Sequence, residues 1–112
     1  TEHRVRQINI ATGVVTTVAG NGIAGFANAT GVSAQFNAPT DVVINNAGNI
    51  LIVADQYNRQ VRQIVLATGE VTTFAGNTTS PGYADGAFNA ARFGDITGIC
   101  TDTLNMFYAV DR

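Results

Sequence analysis

The stretch NAPTDVVINNAGNILIVADQYNRQVRQIVLATGEVTTFAGN, residues 37–77, contains four short runs rich in Val, Ile, Thr and aromatic residues. Runs of this composition are typical of β-strands. Asn, Gly, Asp and Thr fill the segments between the runs, and these residues favour turns. The stretch therefore predicts four consecutive antiparallel strands, at 41–45, 50–55, 60–66 and 70–76.

The same pattern occurs a second time, displaced by 56 positions and divided between the two ends of the chain. The clearest matches are VRQI at 5–8 with 61–64, ATG at 11–13 with 67–69, and AGN at 19–21 with 75–77. Because the chain has 112 residues, it comprises two repeats, with boundaries near 1–56 and 57–112. The second copies of the strands are predicted at 98–102, 106–111, 4–10 and 14–20. No helix is predicted beyond a short turn near 32–36 and 89–93.

Four antiparallel strands in a repeat of this length are typical of a β-propeller blade. The chain has a fixed order of features: Pro, an inner strand, A-G-N, V-A-D, x-N-x-x-V-R-x-I and a-T-G-x-V-T-T-x-A-G. By this order it resembles the NHL-repeat β-propellers over essentially its whole length. Two positions depart from that pattern: the family's Asn-His pair is present only in halves, as Asn58 and His3, and Ile96 replaces Pro39 in the second copy. The resemblance implies an all-β fold with a complete blade at about 38–76 and a split blade made of 96–112 plus 1–20. Two repeats need further blades to close a propeller.

Composition argues against several classes of partner and cofactor. The net charge is −2, and the six basic residues, all Arg, form no extended basic patch, so no nucleic-acid partner is expected. No apolar run is long enough to span a membrane. His3 is the sole histidine, so neither a metal site nor a cofactor is expected. Cys100 lies in a predicted inner strand and is expected to be a small buried residue.

A glycine-rich loop follows the outer strand of each repeat. Gly20, Gly22 and Gly25 form G-x-G-x-x-G, but no helix-forming sequence follows, and the second copy lacks the middle glycine. The loop is therefore interpreted as a connection between blades, and not as a phosphate site. Asn28 and Asn77 in this loop begin N-x-[ST] sequons, which makes them candidates for N-glycosylation in an extracellular protein.

Other residues are expected to have structural roles, and no catalytic residue is identified. Asp55 and Asp111 are expected to accept hydrogen bonds from turn backbone. The third strand alternates apolar residues with Arg62 and Gln63, which predicts a half-exposed strand, whereas the first two strands are apolar and predicted to be buried on both faces. The recurring aromatic residues are expected to hold the long loop against the blade; they are Phe26, Tyr83, Phe36 and Phe93.

The division of one repeat between the two chain ends predicts unpaired strand edges, and such edges favour association. A complete blade standing alone would also expose both faces of its sheet. The residues expected at the assembly edges are Arg4, Val5, Arg6, Ile8, Met106, Phe107, Tyr108 and Val110. The partners would be copies of this chain, in a ring or a filament, or adjoining blades of a longer chain.

The sequence is therefore interpreted as a non-enzymatic scaffold or interaction module, in an extracellular and glycosylated assembly or in a longer chain. Two alternatives are a fragment of a lyase-like propeller enzyme and an engineered two-blade self-assembling unit.

Overall fold

The structure, a computed structural model, describes residues 2–112. Within that range the chain forms eight β-strands: β1 (Val5–Ile8), β2 (Val15–Ala19), β3 (Pro39–Ile44), β4 (Ile50–Asp55), β5 (Gln60–Val65), β6 (Glu70–Gly76), β7 (Ile96–Thr101) and β8 (Phe107–Asp111). Three single-turn 3-10 helices lie at Gly31–Ser33, Gln56–Asn58 and Phe88–Ala90. Among residues 2–112 no helix is long and apolar enough to cross a membrane.

The strands form one complete sheet and two hairpins. The central sheet has the order β3-β4-β5-β6, with every neighbouring pair antiparallel. The strands β1 and β2 pair only with each other in the described part of the chain, and so do β7 and β8. The predicted all-β class and the four-stranded antiparallel blade are confirmed.

The two hairpins cover opposite faces of the central sheet, so the prediction that this sheet would expose both faces is wrong. Val5 and Ala19 of the first hairpin share a buried cluster with Val53 and Ile64 of the sheet. Ile96 and Ile99 of the last hairpin share a second cluster with residues of the other face, Ile52, Ala54 and Val61. Each half-blade therefore buries one face of the complete blade, as consecutive propeller blades do.

Burial differs from the sequence expectation in three strands and at Cys100. Strand β5 is mostly buried instead of half-exposed. Strands β3 and β8 are mostly exposed instead of buried. Cys100 on β7 is also exposed, which contradicts its assignment to the core. Strand β3 forms one edge of the central sheet and pairs only with β4, which leaves its side chains less covered than those of β4 and β5.

The two repeats keep the same backbone irregularities. In the complete blade the register shifts between Val61 and Arg62, where β5 pairs with β6. In the first hairpin the register shifts at the equivalent place, between Val5 and Arg6. A β-bulge aims side chains and is a built feature of a sheet, so the first hairpin has the geometry of the outer half of a blade.

Gly76 ends β6 in a conformation that requires glycine. Its φ is +97°, and a Cβ placed on it would lie 2.4 Å from the backbone oxygen of Arg59. Gly20, its repeat equivalent, has a φ of +103° and would meet the backbone oxygen of His3 at 2.6 Å. The two clashes involve main-chain atoms, which cannot move aside as a flexible side chain can.

Gly76→Ala is expected to destabilise the chain substantially more than Gly48→Ala. Gly48 also has a positive φ, +75°, but a Cβ there would meet nothing within 4 Å. Its replacement should therefore cost only the left-handed backbone penalty, about 1–2 kcal/mol. Urea denaturation of both variants measures the difference, and equal losses would show that the approach of the Arg59 carbonyl is unimportant.

Candidate functional site

The candidate site consists of two open strand edges, one on β1 and one on β8. Each edge strand pairs on one side only with a strand among residues 2–112. Because an unpaired edge presents a row of free N–H and C=O groups, it is a template for pairing with another strand. The hairpins lie against opposite faces of the central sheet, so the two edges of one chain do not meet each other.

On the β1 edge, the four predicted residues take different positions. Val5 is buried between the blades and is not available for an intermolecular contact. Arg4 is partly buried, forms an ion pair with Glu2 and donates a hydrogen bond to the Asn21 carbonyl at 3.1 Å. Arg6 and Ile8 are exposed. With the exposed Gln7 between them, these two residues are the side chains that the β1 edge presents to solvent.

On the β8 edge, Phe107 packs edge-on against Phe74, with ring centroids 6.4 Å apart, and is partly buried. Met106, Tyr108 and Val110 are exposed. The Tyr108 hydroxyl donates to the Asp102 carboxylate at 3.0 Å. Hydrogen bonds to that carboxylate, first from the Met106 backbone N–H, lower the pKa of Asp102. The hydrogen bond that Tyr108 makes to the carboxylate, together with its negative charge, raises the pKa of Tyr108.

Four of the five predicted edge residues that are exposed, all except Met106, have equivalents in the complete blade that are fully buried. Ile8 is 64% exposed, and its equivalent Ile64 is 0% exposed. Tyr108 is 54% exposed, and its equivalent Ile52 is 1% exposed. Fully burying one large apolar side chain is worth about 1.5–3 kcal/mol. The edges therefore carry apolar surface that a complete four-stranded blade removes from water.

Grooves beside each edge mark the space that missing strands would fill. A cavity of about 500 Å³ lies beside β1 and is lined by Val5, Arg6, Gln7, Val18, Val42, Ile44, Leu51 and Leu66. A cavity of about 230 Å³ lies beside β8 and is lined by Val61, Phe74, Ala75, Phe93, Ile99, Phe107 and Ala109. Both linings are mainly apolar, which suits strands that bury side chains against them.

A buried ion pair holds the complete blade together. Arg62 on β5 donates to the Asp55 carboxylate at 2.6 Å, and both side chains are 0% exposed. Asp55 also accepts a hydrogen bond from the Asn37 backbone N–H at 2.8 Å and another from the Asn58 amide at 2.7 Å. Asp55 is expected from the sequence to accept a hydrogen bond from the backbone of the turn that follows β4. It does accept one from backbone, but the donor, Asn37, lies in the loop before β3.

The guanidinium of Arg62 also holds the long loop. It donates to the carbonyls of Gln35 and Ala27, each at 3.0 Å, and to the Asn28 side-chain oxygen at 2.9 Å. Phe26 and Phe36 lie against its two sides, with ring centroids 4.8 Å and 5.0 Å from the guanidinium carbon. The prediction that the third strand of the repeat, β5, would be half-exposed and would expose Arg62 is wrong, because this loop covers the side chain.

Burial is the main influence on both ionisable groups of the pair. Loss of hydration raises the pKa of Asp55, and the hydrogen bonds from Asn58 and Asn37 and the charge of Arg62 oppose that rise. Loss of hydration lowers the pKa of Arg62, and the hydrogen bond to Asp55 and the charge of Asp55 oppose that fall. Each group therefore depends on the other to remain charged in the interior.

Sequence reasoning missed this pair, although the sequence contains a signal for it. Asp55 and Arg62 both recur in the second repeat, as Asp111 and Arg6. Arg62 also shares the face of its strand with Ile64, two positions on, which points to a buried position. The recurrence of one acid and one base at fixed spacing would have identified it.

The sequon residues lie where the sequence placed them, in the long loops. The Asn28 amide nitrogen donates to the Thr73 hydroxyl at 3.3 Å. The Asn77 side-chain oxygen accepts hydrogen bonds from the backbone N–H and the hydroxyl of Thr79, at 2.9 and 2.7 Å. Asn28 is exposed, and Asn77 is partly exposed.

His3 has a backbone role in the structure. Its φ is +44°, and its repeat equivalent Arg59 has a φ of +55°. The His3 Nδ1 atom accepts a hydrogen bond from the Ala38 backbone N–H at 3.0 Å. Within residues 2–112 no three His, Cys, Asp or Glu side chains are grouped so that they could hold a metal ion.

Comparison with curated proteins supports the resemblance described above. The chain is 27% identical over 82 residues to NHL repeat-containing protein 2 of Homo sapiens and to that of Bos taurus. The matched segment is 72% of this chain but only 11% of each relative. No model of a protein family matches the chain.

Solved structures with the same fold cover almost the whole chain. Two are auxiliary nutrient binding proteins, from Bacteroides thetaiotaomicron with TM-score 0.78 and from Bacteroides ovatus with TM-score 0.79, both 27% identical. They cover 99% and 98% of this chain, which in turn spans 30% of each of them. A putative phosphatase from Bacteroides thetaiotaomicron has a TM-score of 0.74 at 25% identity, over 93% of this chain and 26% of its own.

The fold and its two open edges define this chain as a β-propeller segment, with one complete blade flanked by two half-blades. The predicted resemblance to the NHL-repeat β-propeller family is confirmed. The fold supports an interaction module.

Arg62→Met is expected to destabilise the chain by about 3–5 kcal/mol, because it leaves the Asp55 carboxylate buried without its cation. Arg112→Met removes the same charge from an exposed ion pair with Asp95, where the arginine side chain is 77% exposed, and should cost about 1 kcal/mol or less. Urea denaturation at one protein concentration compares the two. A loss for Arg62→Met no larger than that for Arg112→Met would contradict a structural role for the buried pair.

Proposed function

We propose that this chain is a non-enzymatic scaffold and interaction module whose two open edges join its half-blades to other blades outside the cytoplasm. The observation that carries the proposal is the division of a blade between the two ends of the chain. The last hairpin supplies the inner two strands of a blade, and the first hairpin supplies the outer two. Strand β8 of one copy and strand β1 of the next together complete a four-stranded sheet.

The complete blade supplies the register of this pairing. In the pairing of β4 with β5, Asp55 lies opposite Gln60 and Ile52 lies opposite Gln63. Transferred by the repeat, Tyr108 of one copy lies opposite Gln7 of the next. This register also brings Ile8 of the second copy to the apolar groove beside β8.

Repetition of the contact is head to tail, and such contacts form a ring where the rotation closes. Propellers contain about 4–8 blades. Three copies would therefore give a six-bladed ring, and four copies an eight-bladed one. In a longer polypeptide, the same edges would join to covalently linked blades.

The proposed setting outside the cytoplasm rests on three observations. Two of the structural neighbours are named auxiliary nutrient binding proteins of bacteria. Charged residues make up only 12% of the chain. The loops between blades carry the two sequons, at the exposed Asn28 and the partly exposed Asn77.

The purified 112-residue chain is expected to form a defined assembly with a mass that is a multiple of 11.7 kDa. In a Cys100→Ser background, a Gln7→Cys chain mixed with a Tyr108→Cys chain should form a disulfide-linked pair. A Gln7→Cys chain mixed with a Leu104→Cys chain is the off-register control. Sedimentation velocity and non-reducing gels are the measurements.

A folded monomer that shows no preference for the Gln7–Tyr108 pair would overturn the proposal.

Secretion of the chain from a eukaryotic host is expected to add N-glycans at Asn28 and Asn77. A glycosylated amide keeps its oxygen and one N–H, so the contacts of Asn28 with Arg62 and Thr73 can persist. Intact mass should show two increments, each removed by one of the variants Asn28→Gln and Asn77→Gln. An unmodified secreted chain would contradict this part of the proposal.

A further inference from the structure

The cavity beside Tyr83 and Asp111 has an occupied counterpart in the complete blade. That counterpart is the space filled by the Arg62 guanidinium, between two aromatic rings and beside the Asp55 carboxylate. The unfilled cavity has a volume of about 390 Å³ and is lined by Tyr83, Ala84, Asp85, Gly86, Ala91, Arg92, Phe93, Ala109 and Asp111. The residue that would fill it belongs to the outer half of the blade, which the last hairpin lacks.

The lining of the cavity is equivalent, residue by residue, to the surroundings of Arg62. Tyr83 and Phe93 stand at the positions of the two phenylalanines that flank the Arg62 guanidinium. Ala84 and Arg92 stand at the positions whose carbonyls accept its hydrogen bonds. The cavity therefore offers the groups that an arginine side chain binds: two aromatic rings, two backbone carbonyls and a carboxylate.

The loop around the cavity already has the conformation found in the occupied copy. The Arg92 N–H donates to the Ala84 carbonyl at 2.9 Å, and the Ala84 N–H donates to the Arg92 carbonyl at 3.3 Å. The equivalent bonds between Gln35 and Ala27 are 3.2 and 3.4 Å long. The same single bridge therefore closes both loops, and the site is formed before a ligand enters.

The Asp111 carboxylate is also set for a cation. Its Oδ1 atom accepts hydrogen bonds from the backbone N–H groups of Gly94 and Asp95, at 2.9 and 3.0 Å. In the complete blade Asp55 uses Oδ1 in the same way and gives Oδ2 to Arg62. Among the described residues none donates a hydrogen bond to Oδ2 of Asp111.

Asp85 adds a second negative charge to the cavity, where the complete blade has the neutral Asn28. Arg92 also lines the cavity, but its guanidinium donates to backbone carbonyls of its own loop, including that of Ala91 at 3.0 Å. Because Arg92 replaces the neutral Gln35 of the complete blade, the cavity has the same net charge as its occupied counterpart, −1, and it offers a second carboxylate to a cation.

Arg6 on the β1 edge is the side chain that fits this cavity. It is the repeat equivalent of Arg62 and is exposed in the chain. The register of the complete blade places it opposite Ala109, next to Asp111. Within one chain Arg6 cannot reach the cavity, because the two hairpins lie on opposite faces of the central sheet.

We propose that the cavity formed by Tyr83, Asp85, Phe93 and Asp111 is a socket for the guanidinium of Arg6 from a second copy of this chain. The contact fixes the register between β8 of one copy and β1 of the next. A shift by one residue would turn Arg6 to the other face of the sheet, away from the cavity. This inference rests on the proposed function, since it requires the two edges to pair.

The test compares association of the parent chain with four variants by sedimentation velocity over a concentration series. Arg6→Met removes the cation, and Asp111→Asn removes the anion while it keeps the oxygen that accepts from Gly94 and Asp95. Each is expected to raise the dissociation constant by about tenfold or more, as loss of one partner of a buried charge pair does. The double variant should be little weaker than either single variant, because both remove one contact.

Arg59→Met is the matched control, since it removes the same charge from a turn of the complete blade and should leave association within about threefold of the parent. Circular dichroism checks that each variant is folded. Asp111→Asn tests the socket from its other side even where Arg6→Met fails to fold.

The outcomes separate the two proposals. If the Gln7–Tyr108 disulfide forms but Arg6→Met and Asp111→Asn associate as tightly as the parent, the socket is overturned and edge pairing stands. Additive losses in the double variant would also overturn a direct contact between Arg6 and Asp111. If the parent chain is a monomer and the disulfide does not form, both proposals fail.

Discussion

The buried pair of Asp55 and Arg62 is the interaction on which the complete blade depends. It joins the end of β4 to the middle of β5, and through further hydrogen bonds it fixes the loop that leads into β3. A charge removed from water requires a partner and nearly full hydrogen bonding. Both conditions hold only when β4, β5 and the loop before β3 are packed together, so the buried pair is stable only in the folded blade.

The same requirement explains the character of the two chain ends. The repeat supplies Asp111 and Arg6 for a second pair of this kind, but it places them on opposite faces of the central sheet. Each half-blade consequently has half of an ion pair, half of an apolar core and one open strand edge. The features of the two half-blades are complementary, and the proposed association at the edges rests on that complementarity.

Much of the fold could be predicted from residues alone. Strand periodicity, the turn residues and the internal repeat located β4 and β6 at their observed bounds and the other strands to within a few residues. The repeat also predicted how the chain is divided into a complete blade and a split one. Burial was harder to predict, because an Arg within a strand usually faces water. Arg62 is covered by a loop that lies 27–35 positions earlier in the chain.

The sequence by itself determined the strands, the turns, the recurrence of Asp and Arg in each repeat, and the resemblance to NHL-repeat propellers, because these depend on local composition and spacing. Only the tertiary structure decided that the half-blades cover the faces of the central sheet, that Cys100 is exposed and Arg62 buried, and that a cavity remains beside Asp111. These depend on which segments distant in sequence lie against one another, and local patterns carry little information about such contacts. The physical reason is that a side chain loses its contact with water only when neighbours from distant parts of the chain pack against it, so its burial depends on the completed fold.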